Sequence, residues 1–495
     1  MTRCHVETTA AADLACKLPK LTASGGRMQM AYAVFPDIDA PAVVRYISSV
    51  SGKEDFVIWE VATNGMPLPS LASICPLLGW YEREIMELSG LAFTNHPEPE
   101  RLVTAPYPLL SPPLDPRPDV LRENRATLAS TRLPQVSGKH VQLLPFGPVR
   151  ADVLESAQFI FYYIGEGILH YHPNLFLKHR GMEKQFESGD PHLSSLIAER
   201  ISGVDSVAHA IGYAAAIEDA SDCVPPMRAQ WLRVIAAELE RVYNHLHYLG
   251  HLCHTTTLKV GEAQGKLLEE QAKQINARAT GSRLLRNIVC PGGVRRDINL
   301  AAVRDGLPSL AEAFERYAGL LLRTTSHLDR LISTAPLSQQ LAFDQGATGP
   351  IERASGLDRD LRRDHPYAAY DRLTTNVARR DEGDAFARMK VRIDEIRASF
   401  ALIREAVRRT PPDGLLCAPC VPPPGACGLG WVEGARGTLL YAVHIDADGQ
   451  LGRVKVKSPS FSNWSVFPFT VHDSNMMDYA INEASFGLTI AGCAR

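Results

Sequence analysis

The chain has 495 residues, with 52 Lys and Arg against 55 Asp and Glu and a formal net charge of -3. Hydrophobic residues make up 45% and charged residues 22%, a globular composition with length for two or three domains. The near-balanced charge gives nucleic acid no electrostatic footing as a partner, and no run of about 18 apolar residues predicts a membrane span.

"MTRCHVETTAAADLACKLPK" has no apolar h-region, so its ten cysteines are read as reduced cytoplasmic thiols. Residues 30–104 mix short apolar runs such as "FVIWEV" with turn signals, predicting a small α/β domain. "APYPLLSPPLDPRPDV" follows, and its proline density predicts an extended linker over 105–135. Residues 136–495 read as a large, mainly helical domain with peripheral β-hairpins, making the fold α+β. "AQFIFYYIGEGILHYH" predicts a hairpin around Gly165-Glu166-Gly167. Trp231, Ile235, Leu239, Val242, Leu246 and Leu249 recur at helical steps after Pro225-Pro226. Residues 308–334 predict another long helix. Phe386, Met389, Ile393, Ile396, Phe400, Ile403 and Val407 alternate by three and four, the firmest helical pattern in the chain. "TLLYAVHIDADGQLGRVKVK" predicts a hairpin around Asp448-Gly449.

Several stretches carry a family likeness. "GWYEREIMELSGLAFTNHPEPERL", residues 79–102, resembles the signature of the small core (30-kilodalton-type) subunit of respiratory complex I. "LPFGPVRADVLESAQFIF", "FLKHRGMEK", "RAQWLRVIAAELERVYNHLHYLG", "PGGVRRD", "WVEGARG" and "SPSFSNW" resemble the large quinone-pocket subunit of complex I. That subunit is homologous to the nickel-iron hydrogenase large subunit of the formate hydrogenlyase group. "PFGPV" and "HRGMEK" lean to the hydrogenase side. The resemblance implies a fused subunit of a membrane-associated NADH-quinone oxidoreductase-like or formate hydrogenlyase-like complex, peripheral on the cytoplasmic side. Its implied partners are an iron–sulfur subunit, which would hold the clusters, and membrane proton-pump or antiporter-like subunits.

In the hydrogenases four cysteine thiolates hold nickel, because soft, electron-rich ligands support its redox chemistry. The resemblance places "ERISGVDSVAH" and "ASFGLTIAGCAR" on the two nickel motifs. Ser202, Asp205, Thr489 and Gly492 then stand at the four cysteine positions, with Cys493 one residue out of register. Such a set is not expected to retain nickel. The quinone headgroup pair of complex I is missing as well. Its tyrosine falls on Gly203, and the loop aligned with its histidine has none. Quinone chemistry stays open.

What the resemblance leaves is a polar cluster. Glu183 matches a carboxylate that hydrogenases use in proton transfer, Asp205 lies at a former metal position, and His209 matches the histidine that follows. A carboxylate in a partly desolvated cavity has a raised pKa. Glu183, His209 and Asp205 are therefore expected to relay protons, with Arg180 as counter-charge. The competing expectation is a structural ion pair and a satisfied helix histidine. An active catalytic subunit and a non-catalytic scaffold are the alternative readings of the chain.

Other motifs point to ordinary structure. Cys417, Cys420 and Cys427 lack an evident fourth zinc ligand in their loop and read as unligated thiols. His170 and His172 read as one face of a hairpin, and Glu262, Lys266 and Glu270 as a solvated helix face. "GEGILHYH" does not lead into a helix as a dinucleotide fingerprint does.

Overall fold

The computed structural model describes residues 4–36, 40–50, 55–104, 112–116, 133, 135–136, 138–150, 155–472 and 474–495. Most of the expected proline linker lies outside the described residues.

The N-terminal sheet is built from β1 (Cys4–Thr8), β2 (Gly26–Val34), β3 (Val43–Val50) and β4 (Phe56–Ala62), in the order β1-β4-β3-β2. β1 pairs parallel with β4, and the other two contacts are antiparallel. Helix α1 (Ala11–Ala23) makes the parallel return possible. The sheet thus takes in residues ahead of 30. β2 is an edge strand, yet it is buried along its length. The large domain covers it there, and Lys457 Nζ donates to Gln29 Oε1 at 2.6 Å. Helix α2 (Gly79–Ser89) closes the domain and ends at Gly90, whose φ of 68° suits the left-handed stop.

The predicted hairpin forms from β5 (Gln158–Ile164) and β6 (Gly167–Asn174), with Gln142–Phe146 added as a third strand. Helix α3 (Ser206–Ala220) is followed by α4 (Met227–Thr255), which starts directly after Pro226 as its pattern predicts. α4 packs with α5 (Lys259–Thr280) and α7 (Ala385–Arg409), and α6 (Leu300–Leu321) lies against α5 and α7. α7 matches the three–four alternation almost to the residue. The helix expected over 308–334 differs. α6 begins eight residues earlier, where the Asn299 side chain caps it, and stops before extended Thr324; a separate short helix, Thr325–Leu331, follows.

The last part forms an antiparallel sheet of β7 (Cys427–Gly434), β8 (Gly437–Ile445) and β9 (Leu451–Lys457). α3 lies across β7 so closely that only glycine fits there. A Cβ on Gly428 would come 2.0 Å from Ala216 O, and one on Gly430 2.1 Å from Gly212 O. Among the described residues no helix is long and apolar enough to cross a membrane.

Candidate functional site

Two loops meet where α3 begins. The first, Ser202 to Asp205, is fastened from α4: Tyr243 Oη and Asn244 Nδ2 donate to Val204 O at 3.0 and 2.8 Å. The second, Thr489 to Cys493, is a single helical turn capped by Thr489 Oγ1, which accepts from Gly492 N at 3.1 Å. Arg180 holds them together. Its guanidinium donates to Arg200 O at 2.9 Å and Ile201 O at 2.5 Å, just ahead of the first loop, and to Ala491 O at 3.1 Å in the second. Glu155 accepts from Ile490 N and Ala491 N, completing the clasp.

Asp205 is buried, accepting from Ser202 Oγ at 3.2 Å and from Arg436 Nη1 at 2.8 Å. The same Arg436 reaches Asn244 Oδ1 and Gly487 O, joining both loops to the β7–β8 turn. Asp205 does not cap its own helix. Glu240, from α4, does: its carboxylate accepts from Val207 N at 2.7 Å and Ala208 N at 2.9 Å. Burial pushes the Glu240 pKa well above the carboxylate range, and nearby Asp205 pushes it further. His209 is fully buried, and its Nδ1 is hydrogen-bonded to Tyr441 Oη at 2.6 Å. Its Nε2 is buried without a partner, and burial lowers its pKa to about 4, so the ring is neutral near pH 7.

Glu183 does not pair with its expected counter-charge. Instead of Arg180, it meets Arg453 Nη2 at 2.8 Å, Arg495 Nε at 2.9 Å and Lys455 Nζ at 3.1 Å. Lys455 and Arg495 also bind Glu84, on α2 of the small domain, at 2.5 and 2.7 Å. Burial alone would raise the Glu183 pKa. The three cations overturn that and hold it well below the usual carboxylate range. The expectation of a raised pKa is therefore corrected at Glu183; the raised carboxylate here is Glu240, a residue the sequence reading did not name. The sequence carries Glu240 without distinction, since it follows a core leucine on a charged, amphipathic helix. Arg436 and Tyr441 were likewise visible only as parts of "WVEGARG" and a strand.

The lesser motifs settle simply. Cys417 Sγ lies 3.9 Å from Cys290 Sγ, while Cys427 faces His444 instead. Among the described residues no three His, Cys, Asp or Glu side chains are placed to hold a metal ion. His170 lies near His472, with ring centroids 5.2 Å apart and the rings tilted by 31°. Lys266 pairs with Glu262 as the helical spacing predicts, whereas Glu270 turns to Arg283.

Residues 268–425 match the family "Respiratory-chain NADH dehydrogenase, 49 Kd subunit". Residues 10–117 match its 30 Kd counterpart, and residues 180–282 match "Nickel-dependent hydrogenase". An NADH-quinone oxidoreductase subunit of Geotalea uraniireducens (strain Rf4) is 30% identical over 362 residues, spanning 66% of this chain and 92% of that protein. The chain belongs to the 49-kilodalton subunit family. Formate hydrogenlyase subunit 5 of Escherichia coli (strain K12) is 28% identical over 431 residues, covering 85% of this chain and 75% of that one. A chain of the membrane-bound sulfane sulfur reductase, an archaeal respiratory membrane complex, superposes with a TM-score of 0.68 at 25% identity. That match covers 72% of this chain and 99% of the other.

The match of residues 180–282 to nickel-dependent hydrogenases raises the question whether the two loops fit nickel. They do not. The donor atoms present are two hydroxyls and one carboxylate, a hard set. The carboxylate already carries the Arg436 guanidinium, a cation where a second cation would have to sit. Even a Cβ at position 492 would stand 2.7 Å from Thr489 Oγ1, so the fourth position has closed. Cys493 is buried, with its thiol pKa raised by burial, which opposes a metal-binding thiolate.

Proposed function

We propose that the chain is a fused, peripheral subunit of a hydrogenase-related, membrane-associated electron-transfer complex, in which the former metal cavity handles protons rather than hydrogen. The observation that carries this is Asp205, bound at a former cysteine position by Arg436 and Ser202 and next to the high-pKa carboxylate of Glu240. A carboxylate that burial biases toward its protonated form can take up and release a proton. Glu240 is the proton-exchanging group in this reading, and Asp205 and Arg436 set its field. His209 supplies a neutral polar wall, and Arg180 positions the two loops. Glu183 serves as a fixed charge. The iron–sulfur subunit and the proton-pump-like membrane subunits are the proposed neighbours, on the cytoplasmic side. The family resemblance and the relatives' membership of respiratory complexes support that placement.

The test is nickel content per chain, with proton movement measured on the same complex purified gently from its membrane. No nickel, together with an assembled Glu240→Gln complex that loses proton movement by about tenfold or more, supports the reading. One nickel per chain overturns it, and so does an unaffected Glu240→Gln complex.

A further inference from the structure

The two sheets that meet at the domain junction each present a cross-strand row of polar side chains. In the small domain the register sets Tyr32 opposite Arg45 and Arg45 opposite Glu60. In the large domain it sets Cys427 opposite His444 and His444 opposite Arg453. The rows interlock. Tyr32 Oη lies 3.1 Å from His444 Nε2, and Cys427 Sγ lies 3.0 Å from Nδ1 of the same ring. Arg45 Nη1 donates toward the sulfur at 3.6 Å and lies beside the His444 ring, 3.2 Å from Nε2 and 3.3 Å from Nδ1. Only Arg453 is shared with the Glu183 cluster. Cys427 is also open to solvent, as are just two of the other nine cysteines, Cys16 and Cys417.

We propose that Cys427 is a reactive thiol and a site of reversible modification by low-molecular-weight disulfides, its sulfur activated by Arg45 and by a His444 ring whose tautomer Tyr32 sets. When the Tyr32 hydroxyl donates to Nε2, the ring proton sits on Nδ1 and donates to the sulfur. Arg45 supplies a second donor and a full positive charge. Both interactions are better with a thiolate than with a thiol, and the thiolate is the nucleophile. Burial pushes the Tyr32 pKa up to about 12, so the phenol keeps its proton. Burial, with Arg45 and Arg453 nearby, keeps His444 neutral. The ring therefore acts as an oriented hydrogen-bond donor. Among the described residues Glu60 also faces this row, 3.5 Å from Arg45 Nη2, and holds the guanidinium from behind.

In the reaction the Cys427 thiolate attacks one sulfur of a disulfide RS–SR. A bond forms between Cys427 Sγ and that sulfur, the RS–SR bond breaks, and the other half leaves as RS⁻, which takes a proton from water. Two electrons pass from the protein thiolate to the departing thiol, and excess thiol reverses the exchange. The adduct takes the sulfur away from Arg45 and so weakens a contact between the two domains.

The experiment exposes the full chain, under native conditions, to limiting oxidised glutathione and follows the mass gain of each cysteine-containing peptide with time. Cys427 is expected to react about tenfold or more faster than exposed Cys16, and Arg45→Gln and His444→Gln to slow it by a similar factor. Cys16 is the internal rate control. Buried Cys253 is the folding control, since it becomes labelled if a variant unfolds. Reaction at Cys427 no faster than at Cys16 in the unaltered chain overturns the proposal, whatever the variants do. A folded Arg45→Gln variant with an unchanged Cys427 rate also overturns it.

Discussion

At Glu183 two opposing effects of burial can be weighed directly. Removal from water disfavours the carboxylate, and three cations within 3.1 Å favour it more. The stabilisation is therefore present above the unfolded pKa near 4.3 and is lost as pH falls through the much lower folded value. Glu183→Gln leaves Lys455 and Arg495 with Glu84 alone and takes from Arg453 its carboxylate partner, an uncompensated buried charge expected to cost about 3 to 5 kcal/mol in denaturant unfolding. A cost under about 1 kcal/mol, with proton movement abolished, would restore Glu183 as a relay. His209 gives a pH signature of the same sign in a higher window. Its folded pKa of about 4 lies below the unfolded 6.5, so the unfolded chain binds the proton first. Stability is present above pH 6.5 and falls as pH drops toward 4. Over that window the unaltered chain is expected to lose about 3 kcal/mol relative to His209→Gln, read as the pH dependence of unfolding free energy. Parallel pH curves for the two proteins would mean that folding leaves the His209 pKa unshifted. None of these directions is legible in the sequence. "HRGMEK" marks Glu183 as an acid, but its partners lie 270 to 312 residues away and only the fold brings them within reach.

At the scale of elements, periodicity could be read wherever one face of a helix meets one core. α7 follows its alternation from end to end, and α4 starts at its proline. The 308–334 reading failed because apolar spacing continues across the break at Thr324, and the signals that mattered were local: an asparagine cap and an extended backbone. The contact of α3 with β7 was also hidden. "CGLGWVEG" reads as a weak strand, since glycine has poor β propensity, yet the glycines are what allow helix and strand backbones to touch. Gly430→Ala tests this. Its Cβ would fall 2.1 Å from Gly212 O and 2.4 Å from Ala216 N, both backbone atoms that cannot swing aside. The substitution is expected to destabilise the chain by about 3 kcal/mol or more. Because α3 carries Asp205 and His209 at its start, it should also disturb the cavity. Gly425→Ala is the comparison, since a Cβ there meets nothing within 4 Å, although its φ of 76° adds some strain. Equal effects from the two would mean that the close approach is not what the glycine provides.

The whole molecule depends on how the two domains are joined, and the joint is polar. β2 lies against the large domain with Lys457 on Gln29, Arg27 meets Glu352 at 3.2 Å, and α2 sends Glu84 to Lys455 and Arg495. Apolar packing would hold the domains together but leave their relative angle weakly specified. Buried charges that are satisfied in one arrangement penalise every other, because separating them strands a charge away from water. The Glu84–Glu183 cluster has three cations and two carboxylates, and burial, reinforced by Arg495, lowers the Lys455 pKa accordingly. Losing one of the two carboxylates would leave that excess without relief. Glu84→Gln is therefore expected to weaken the junction more than either domain's interior. Calorimetry should show the unaltered chain unfolding in one transition and Glu84→Gln in two, with the small domain melting first. A Lys455→Met partner substitution should recover much of the loss, since it removes the buried charge left unpaired. A single transition for Glu84→Gln at the original temperature would show that the apolar contacts around β2 alone hold the two domains together.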